Sequence, residues 1–218
     1  MIEEVSNYLN EMRHDFTKAK LDEENTTSNP MEQYAKWFED AVGAQVPDPK
    51  AMTVCTVDAD GVPSSRVVYS RGLTEEGIIF YTNYDSKKGA DLKQNNNVSV
   101  TIYWTELERQ MRFTGVAEKL PEAESDAYFA SRPRESQIGA WASDQSSELK
   151  SRTELEEKVA HFTKKFEGKD VPRPPFWGGY IIKISVFEFW QGRASRLHDR
   201  IEYNKDKKGN WRKRRLSP

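Results

Sequence analysis

The stretch Ala51-Met52-Thr53-Val54-Cys55-Thr56-Val57-Asp58-Ala59-Asp60-Gly61 decides the fold class, because the periodicity of the chain changes there. A run rich in β-branched residues ends in Asp58-Ala59-Asp60-Gly61, a turn signal. The chain returns through Ser65-Arg66-Val67-Val68-Tyr69-Ser70-Arg71, again strand-like. On that returning strand Arg66, Val68 and Ser70 share a face. An arginine there either finds a partner inside or sits on a solvated edge, and both readings stay open. Cys55 reads as a small core residue.

Downstream the strand signals continue. Gly77-Ile78-Ile79-Phe80-Tyr81-Thr82 leads into Asn83-Tyr84-Asp85-Ser86, and Ser86 caps a predicted helix over Lys87 to Gln94. Lys87 and Lys88 in its first turn oppose the helix dipole, which an anion bound at that end would explain. Strands are predicted over Val98 to Trp104 and Arg109 to Leu120, and Gln110 can bond a heterocycle or face water. Pro121 opens a helix that closes near Tyr128 and Phe129, broken by Ser131-Arg132-Pro133-Arg134-Glu135-Ser136. Two arginines and serines around a rigid proline suit a phosphate. Gln137 to Trp141 is short and apolar, and Ser143 to Ser147 is a polar turn. Glu148 to Glu167 reads as a long helix with Leu149, Leu155, Val159, Phe162 and Phe166 as its buried stripe and Gly168 as its stop; His161 reads as surface.

After a proline-rich bend, Ile182, Ile184 and Val186 alternate, and the phase then shifts to Phe187 and Phe189, as at a bulge or change of face. The stretch Phe187 to Arg200 continues past Gly192. If extended there, it puts Arg196, His198 and Arg200 on one face. Two guanidiniums beside an imidazole want an anion; a solvated edge strand is the alternative. Ile201 to Tyr203 pairs with Asn210 to Leu216 in a hairpin, whose basic run Arg212-Lys213-Arg214-Arg215 reads as solvated. Upstream, Ile2, Val5, Leu9, Met12 and Phe16 recur at helical spacing, Asp22 to Asn29 is a linker, and Pro30 opens a second helix that Gly43 ends.

Bulk properties narrow the function. Charged residues make up 31% of the 218, yet net charge is −2, so no global basic field for nucleic acid exists. One cysteine and three scattered histidines argue against a disulfide framework or a metal centre. The acidic N-terminus and the absence of a roughly 20-residue apolar run argue for a soluble, cytoplasmic chain with no membrane partner. Six to eight strands joined mostly by turns, without βαβ rhythm, favour a mainly β, α+β fold of antiparallel barrel type. No Gly-rich dinucleotide or Walker loop is present, so side chains must hold any phosphate. One domain over 1–218 is expected.

These residues carry a resemblance. Phe187-Glu188-Phe189-Trp190-Gln191-Gly192 with Arg196-Leu197-His198-Asp199-Arg200, and Ser131 to Trp141, are similar to motifs of the pyridoxine (pyridoxamine) 5′-phosphate oxidase family. Phe80 to Asn83, Leu107 to Gln110 and Pro175 to Gly179 fit as well. The resemblance implies an FMN-binding split β-barrel homodimer, with FMN at each subunit interface and built from both chains. It implies FMN contacts at Arg66, Val67, Val68, Tyr69, Ser70, Arg71, Tyr81, Thr82, Lys87, Lys88, Gln110, Gln145, Ser146, Trp190 and Arg200. The substrate phosphate would meet Arg71, Tyr128, Arg132 and Ser136. Arg196 and His198 would hold the pyridine ring against the flavin, as the catalytic pair. Residues 1–20 would form a lid carrying Arg13.

The implied reaction is hydride transfer from substrate C4′ to flavin N5, with O2 reoxidising the flavin to give H2O2 and pyridoxal 5′-phosphate as product. Orientation and charge are the protein's share. Arg71 stands where the family usually has lysine, and Phe16 where tyrosine is common, so altered substrate affinity is expected. The rival readings are a related split-barrel flavin oxidase of another substrate, a non-catalytic flavin- or PLP-binding protein, and a dimeric interaction protein.

Overall fold

The computed structural model describes residues 2–11 and 15–218. In chain order the elements are α1 (Ile2–Glu11), α2 (Pro30–Gly43), β1 (Ala51–Val57), β2 (Pro63–Tyr69), β3 (Gly72–Leu73), β4 (Gly77–Asn83), α3 (Lys87–Gln94), β5 (Asn97–Trp104) and β6 (Arg109–Lys119). There follow α4 (Glu122–Ala130), α5 (Arg134–Ala142), α6 (Arg152–Lys165), β7 (Trp177–Gln191), β8 (Asp199–Lys205) and β9 (Trp211–Arg215). Strand pairing runs β2-β1-β5-β6-β7-β4-β3, with β8 on β7 and β9 on β8. The chain divides into two compact units. One comprises Met1–Pro49, Ile102–Arg112 and Val186–Pro218; the other, Lys50–Thr101 and Phe113–Ser185.

In the second unit, β1 and β2 form the expected antiparallel hairpin, with Val57 opposite Pro63 and Ala51 opposite Tyr69. Strict alternation buries Met52, Val54 and Thr56 on one face of β1. Cys55 lies on the other face and is half-buried, so it is not the core residue expected. Antiparallel β4 pairs with the first half of β7, from Gly77 opposite Lys183 to Asn83 opposite Trp177. Phe129, Ile138, Ala140, Phe166, Val171 and Trp177 pack into an apolar cluster beneath α4 and α5.

Two helical expectations change. The segment Gln137 to Trp141 belongs to α5, which opens directly after Pro133 and takes in Arg134 to Ser136. The helix expected over Glu148 to Glu167 is the shorter α6, because the Ser151 hydroxyl caps it by accepting from Glu154 N at 3.2 Å. Leu149 and Val159 are exposed, and of the expected stripe only Phe166, just past the helix end, is buried. Gly168 then stops the chain at φ +68. His161 is exposed, as expected.

In the first unit, the Asn29 side chain accepts from Met31 N at 2.9 Å and caps α2, whose Trp37 packs edge-on against Phe189 of β7 at 5.1 Å. Phe189 in turn meets Tyr203 of β8 at 5.7 Å. The second half of β7 pairs with β8, from Val186 opposite Asn204 to Gln191 opposite Asp199. The predicted phase shift in β7 therefore has a cause. Its buried positions change parity between Ile184 and Phe187, where its partner strand changes from β4 to β8.

The hairpin β8–β9 forms as expected, with Asp206 Oδ1 accepting from Lys208 N and Asn210 N at the turn. Its basic run is exposed, as expected, and makes surface ion pairs: Arg215 with Glu23 and Asp199, and Arg214 with Glu202. Arg196 corrects the sequence reading. Ala194–Arg196 is a 3-10 turn with Ser195 at φ 57 and Arg196 at φ 61, and β8 starts only at Asp199. Strand alternation therefore does not govern Arg196. Phe16 lies beyond the end of α1, and Met12 and Arg13 lie outside the described residues. Among the described residues, no helix is long and apolar enough to cross a membrane.

Candidate functional site

A cleft of about 590 Å³ opens in the Lys50–Thr101/Phe113–Ser185 unit. Its floor is β2 from Ser64 to Tyr69 with Arg71; Tyr81 and Thr82 of β4 and Lys87 and Lys88 of α3 form one side. Tyr128, Arg132, Gln145, Ser146 and Trp177 close the other. Most of the residues assigned by resemblance to FMN are thus brought together. Ser70 does not line the cleft, because its hydroxyl donates to Lys50 O at 3.2 Å and ties down the end of β2.

The cleft is built around cations that lack carboxylates. Arg66 Nη1 donates to Thr56 Oγ1 (2.7 Å), Ser64 O (2.9 Å) and Val54 O (3.3 Å), and its Nη2 donates to Ser64 Oγ. Lys88, only 7% exposed, donates to Gln145 Oε1 (2.8 Å), Thr82 Oγ1 (3.1 Å) and Ser86 Oγ (3.3 Å). Burial, and then the neighbouring Arg66, pull the Lys88 ammonium down to about 8. Burial likewise lowers Arg66, which Asp91 opposes. Neither Arg66 nor Lys88 has an ion-pair partner among the described residues. Lys87 differs: it is bonded to Asp91 at 2.7 Å and Asp58 at 3.2 Å, which answers the helix-dipole conflict within the chain.

A flat aromatic stack lines the same cleft. Tyr81 and Tyr128 stack at 3.7 Å with 9° between planes, and Trp177 lies parallel to Tyr81 at 5.5 Å. The Arg132 guanidinium sits over Trp177 at 4.5 Å, and its buried Nη1 has no hydrogen-bond partner among the described residues. Burial lowers its pKa, with Arg71 adding to the effect. Arg71 is exposed and lies 5.4 Å from the Tyr69 ring. Ser136, half-buried at the start of α5, does not line the cleft.

The remaining predicted residues belong to the other unit. His198 lies 4.5 Å from Trp190, ring to ring, and Phe16 meets both edge-on, at 5.4 Å and 5.6 Å. His198 Nδ1 accepts from Arg193 N at 3.2 Å, so the neutral ring carries its proton on Nε2. Burial and then Arg196 hold His198 below its ordinary value, against Asp199. Arg196 is exposed. Arg200 makes a two-pronged bond to Glu188, Nε to Oε1 at 2.9 Å and Nη2 to Oε2 at 3.0 Å, and donates to Ser217 O. Burial alone would raise Glu188, yet Arg200 and Arg112 hold it below the usual range. Gln110 is half-buried in β6.

Ser64, Ser65 and Trp177 of the cleft were not assigned from sequence, nor was Glu188. Trp177 stood inside a quoted motif without a role, and an acid between two strand phenylalanines was a signal for Glu188. The serines carried no signal beyond lying next to Arg66.

An antiparallel sheet with peripheral helices, its cleft lined by a buried lysine, half-buried arginines and stacked aromatic rings, defines a split-barrel protein. Models described as "Pyridoxamine 5'-phosphate oxidase" and "Pyridoxine 5'-phosphate oxidase C-terminal dimerisation region" match residues 38–166 and 177–218. The chain belongs to the pyridoxamine 5′-phosphate oxidase family, and it is an enzyme. Proteins named pyridoxine/pyridoxamine 5′-phosphate oxidase are similar to it at 48% identity in Cupriavidus metallidurans, covering 96% of this chain and 99% of that protein. The one from Bordetella pertussis is 49% identical with the same coverage. Among solved structures, PhzG of Burkholderia lata, crystallised with tetrahydrophenazine-1-carboxylic acid, superposes with TM-score 0.85 at 33% identity, covering 89% of this chain and 95% of that one. An FMN-binding protein of Nostoc punctiforme shares the fold, with TM-score 0.68 at 14% identity, covering 85% of this chain and 97% of that one.

Proposed function

We propose that the chain oxidises pyridoxine 5′-phosphate and pyridoxamine 5′-phosphate to pyridoxal 5′-phosphate with FMN as cofactor. The observation that carries this reading is the pair of half-buried Arg66 and buried Lys88, whose hydrogen-bond partners among the described residues are neutral and which an FMN phosphate would complete. The orphaned Nη1 of Arg132 makes the same demand at the far side of the cleft and fits the phosphate of the substrate. Lys87, Tyr81, Thr82, Gln145, Ser146, β2 from Arg66 to Tyr69 and Arg71 would hold the cofactor, with Gln110, Trp190 and Arg200 completing a site built from both chains of a homodimer. Bound FMN would supply the two-electron acceptor for oxidation at substrate C4′, with O2 as the final oxidant and H2O2 as its product.

The chain's own residues bind and orient. Arg132, Tyr128 and the exposed Arg71 grip the substrate phosphate. Arg196, free of strand geometry in its turn, covers the pyridine ring. His198, kept neutral by burial and by Arg196, offers an Nε2 proton as hydrogen-bond donor to a ring substituent. Phe16 packs on His198 and keeps water off that side.

The test is direct: purified protein should be yellow or take up FMN, and should release H2O2 on addition of either 5′-phosphate. A colourless protein that rejects FMN sinks the reading; flavin binding without turnover leaves a binding protein. The likeness to PhzG supports a second reading, a flavin oxidase of a larger fused ring, and oxidation of a dihydrophenazine in preference to the 5′-phosphates would favour it.

A further inference from the structure

Glu108 has a side chain and a backbone doing two different jobs on the same contact. It is 2% exposed, and it sits between β5 and β6 in the left-handed region (φ 53, ψ 38), which is unusual for a residue with a long side chain. Its Oε2 accepts from two consecutive backbone donors, Thr17 N at 2.9 Å and Lys18 N at 3.0 Å. Its carbonyl accepts from Gly192 N at 2.8 Å and Gln191 Nε2 at 3.1 Å. Phe16, the residue just before the clamped pair, has its ring against Trp190 and His198. It also fills the space over Gly192, where a Cβ would stand 2.5 Å from Phe16 Cδ1.

We propose that Glu108 is a positioning residue of the active site: its carboxylate pins Thr17 and Lys18 so that Phe16 rests on His198 and Trp190, while its carbonyl fixes the strand end that receives Phe16. The role rests on the oxidase reading above, because it assigns the benefit to substrate held beside His198. Both sides of the Phe16–Gly192 contact hang from one residue. Further down the segment, Leu21 N is held by Asp199 Oδ2 at 3.1 Å, and Lys213 and Arg215 grip Glu23. Those anchors lie past Lys18, whose Nζ is itself held by Glu106 O at 2.6 Å, whereas the Glu108 carboxylate holds the backbone next to Phe16.

The experiment uses the FMN-loaded enzyme with Glu108→Gln, Phe16→Ala and the double variant, reading amide exchange at Thr17 and Lys18 beside KM and kcat for pyridoxine 5′-phosphate. Losing a charged acceptor from two donors should speed exchange and raise KM by about tenfold, with kcat within about twofold. Added to Phe16→Ala, Glu108→Gln should change KM no further, since it acts through that ring. Effects on KM that multiply in the double variant, or exchange that stays at the wild-type rate, overturn the proposal. Should Glu108→Gln fail to fold, Lys18→Pro deletes one of the two backbone donors and must raise KM beyond the Lys18→Ala control, which removes only the side-chain bond to Glu106 O. A wild-type enzyme that does not turn over the 5′-phosphate at all is the distinct outcome that sinks the oxidase reading itself.

Discussion

A lysine whose partners among the described residues are the Thr82, Ser86 and Gln145 oxygens is held in the folded chain against the cost of burying its charge. Folded Lys88 gives up its proton near 8, whereas the unfolded residue keeps it to 10.5. Between those values the unfolded state binds more protons, so flavin-free protein gains stability as pH rises through that window. Below it, charged Lys88 is a full burden. Lys88→Met should therefore stabilise the flavin-free protein below that window by on the order of 2 kcal/mol and abolish the rise with pH, while weakening FMN binding. Urea denaturation at about pH 7 and about pH 10 checks both signs; a wild-type curve flat across the window counts against the argument. Bound phosphate should flatten it too, by returning the ammonium to its charged form. At this same scale Arg200 and Glu188 differ, since their geometry is already satisfied within the chain.

α3 shows how an element delivers such residues. Ser86 Oγ accepts from Gly89 N and donates to Asn83 O at 2.7 Å, so one hydroxyl caps the helix and closes the turn that aims Lys88 into the cleft. Gly89 is required next, because a Cβ there would stand 1.9 Å from Tyr84 O. Ser86→Ala should cost roughly 1–2 kcal/mol of stability and lower FMN affinity at the same time. Denaturation and flavin titration on one preparation measure both, and a loss of stability with unchanged affinity would separate the cap from the site. Much of this element was legible: Ser86, the lysine pair and the helix bounds all stood in the sequence. The lysines' different fates were not, because Asp58 and Asp91, which neutralise Lys87, come from the β1–β2 turn and from the next helical turn.

For the whole molecule, residues 177–218 match the family's dimerisation region and contain Trp190 and Arg200, two of the residues assigned to FMN. A site built from both chains makes flavin affinity depend on protein concentration. On dilution, gel filtration followed by flavin absorbance should show flavin lost together with the dimer. Flavin retained on a monomer would place the whole site within one chain.

The family resemblance assigned most of the cleft residues, while sequence alone determined the alternation of β1, the hairpins β1–β2 and β8–β9 and the phase shift in β7. Each is written in local periodicity or turn chemistry, which a few neighbouring residues suffice to set. Tertiary structure decided the rest. Arg196 left the strand pattern for a left-handed turn, α6 shortened to its serine cap, and Cys55 came to the half-buried face. The same holds for the long-range pairs: Glu108 meets Thr17, and Arg215 meets Glu23. The bond from Thr17 to Glu108 joins residues 91 apart in sequence, and no local pattern encodes a partner at that separation. Whether a buried charge is satisfied depends on what folding brings beside it: the sequence marked Lys87, Lys88 and Arg132 alike as suited to an anion, and only the structure set Lys87, paired with Asp58 and Asp91, apart from Lys88 and Arg132.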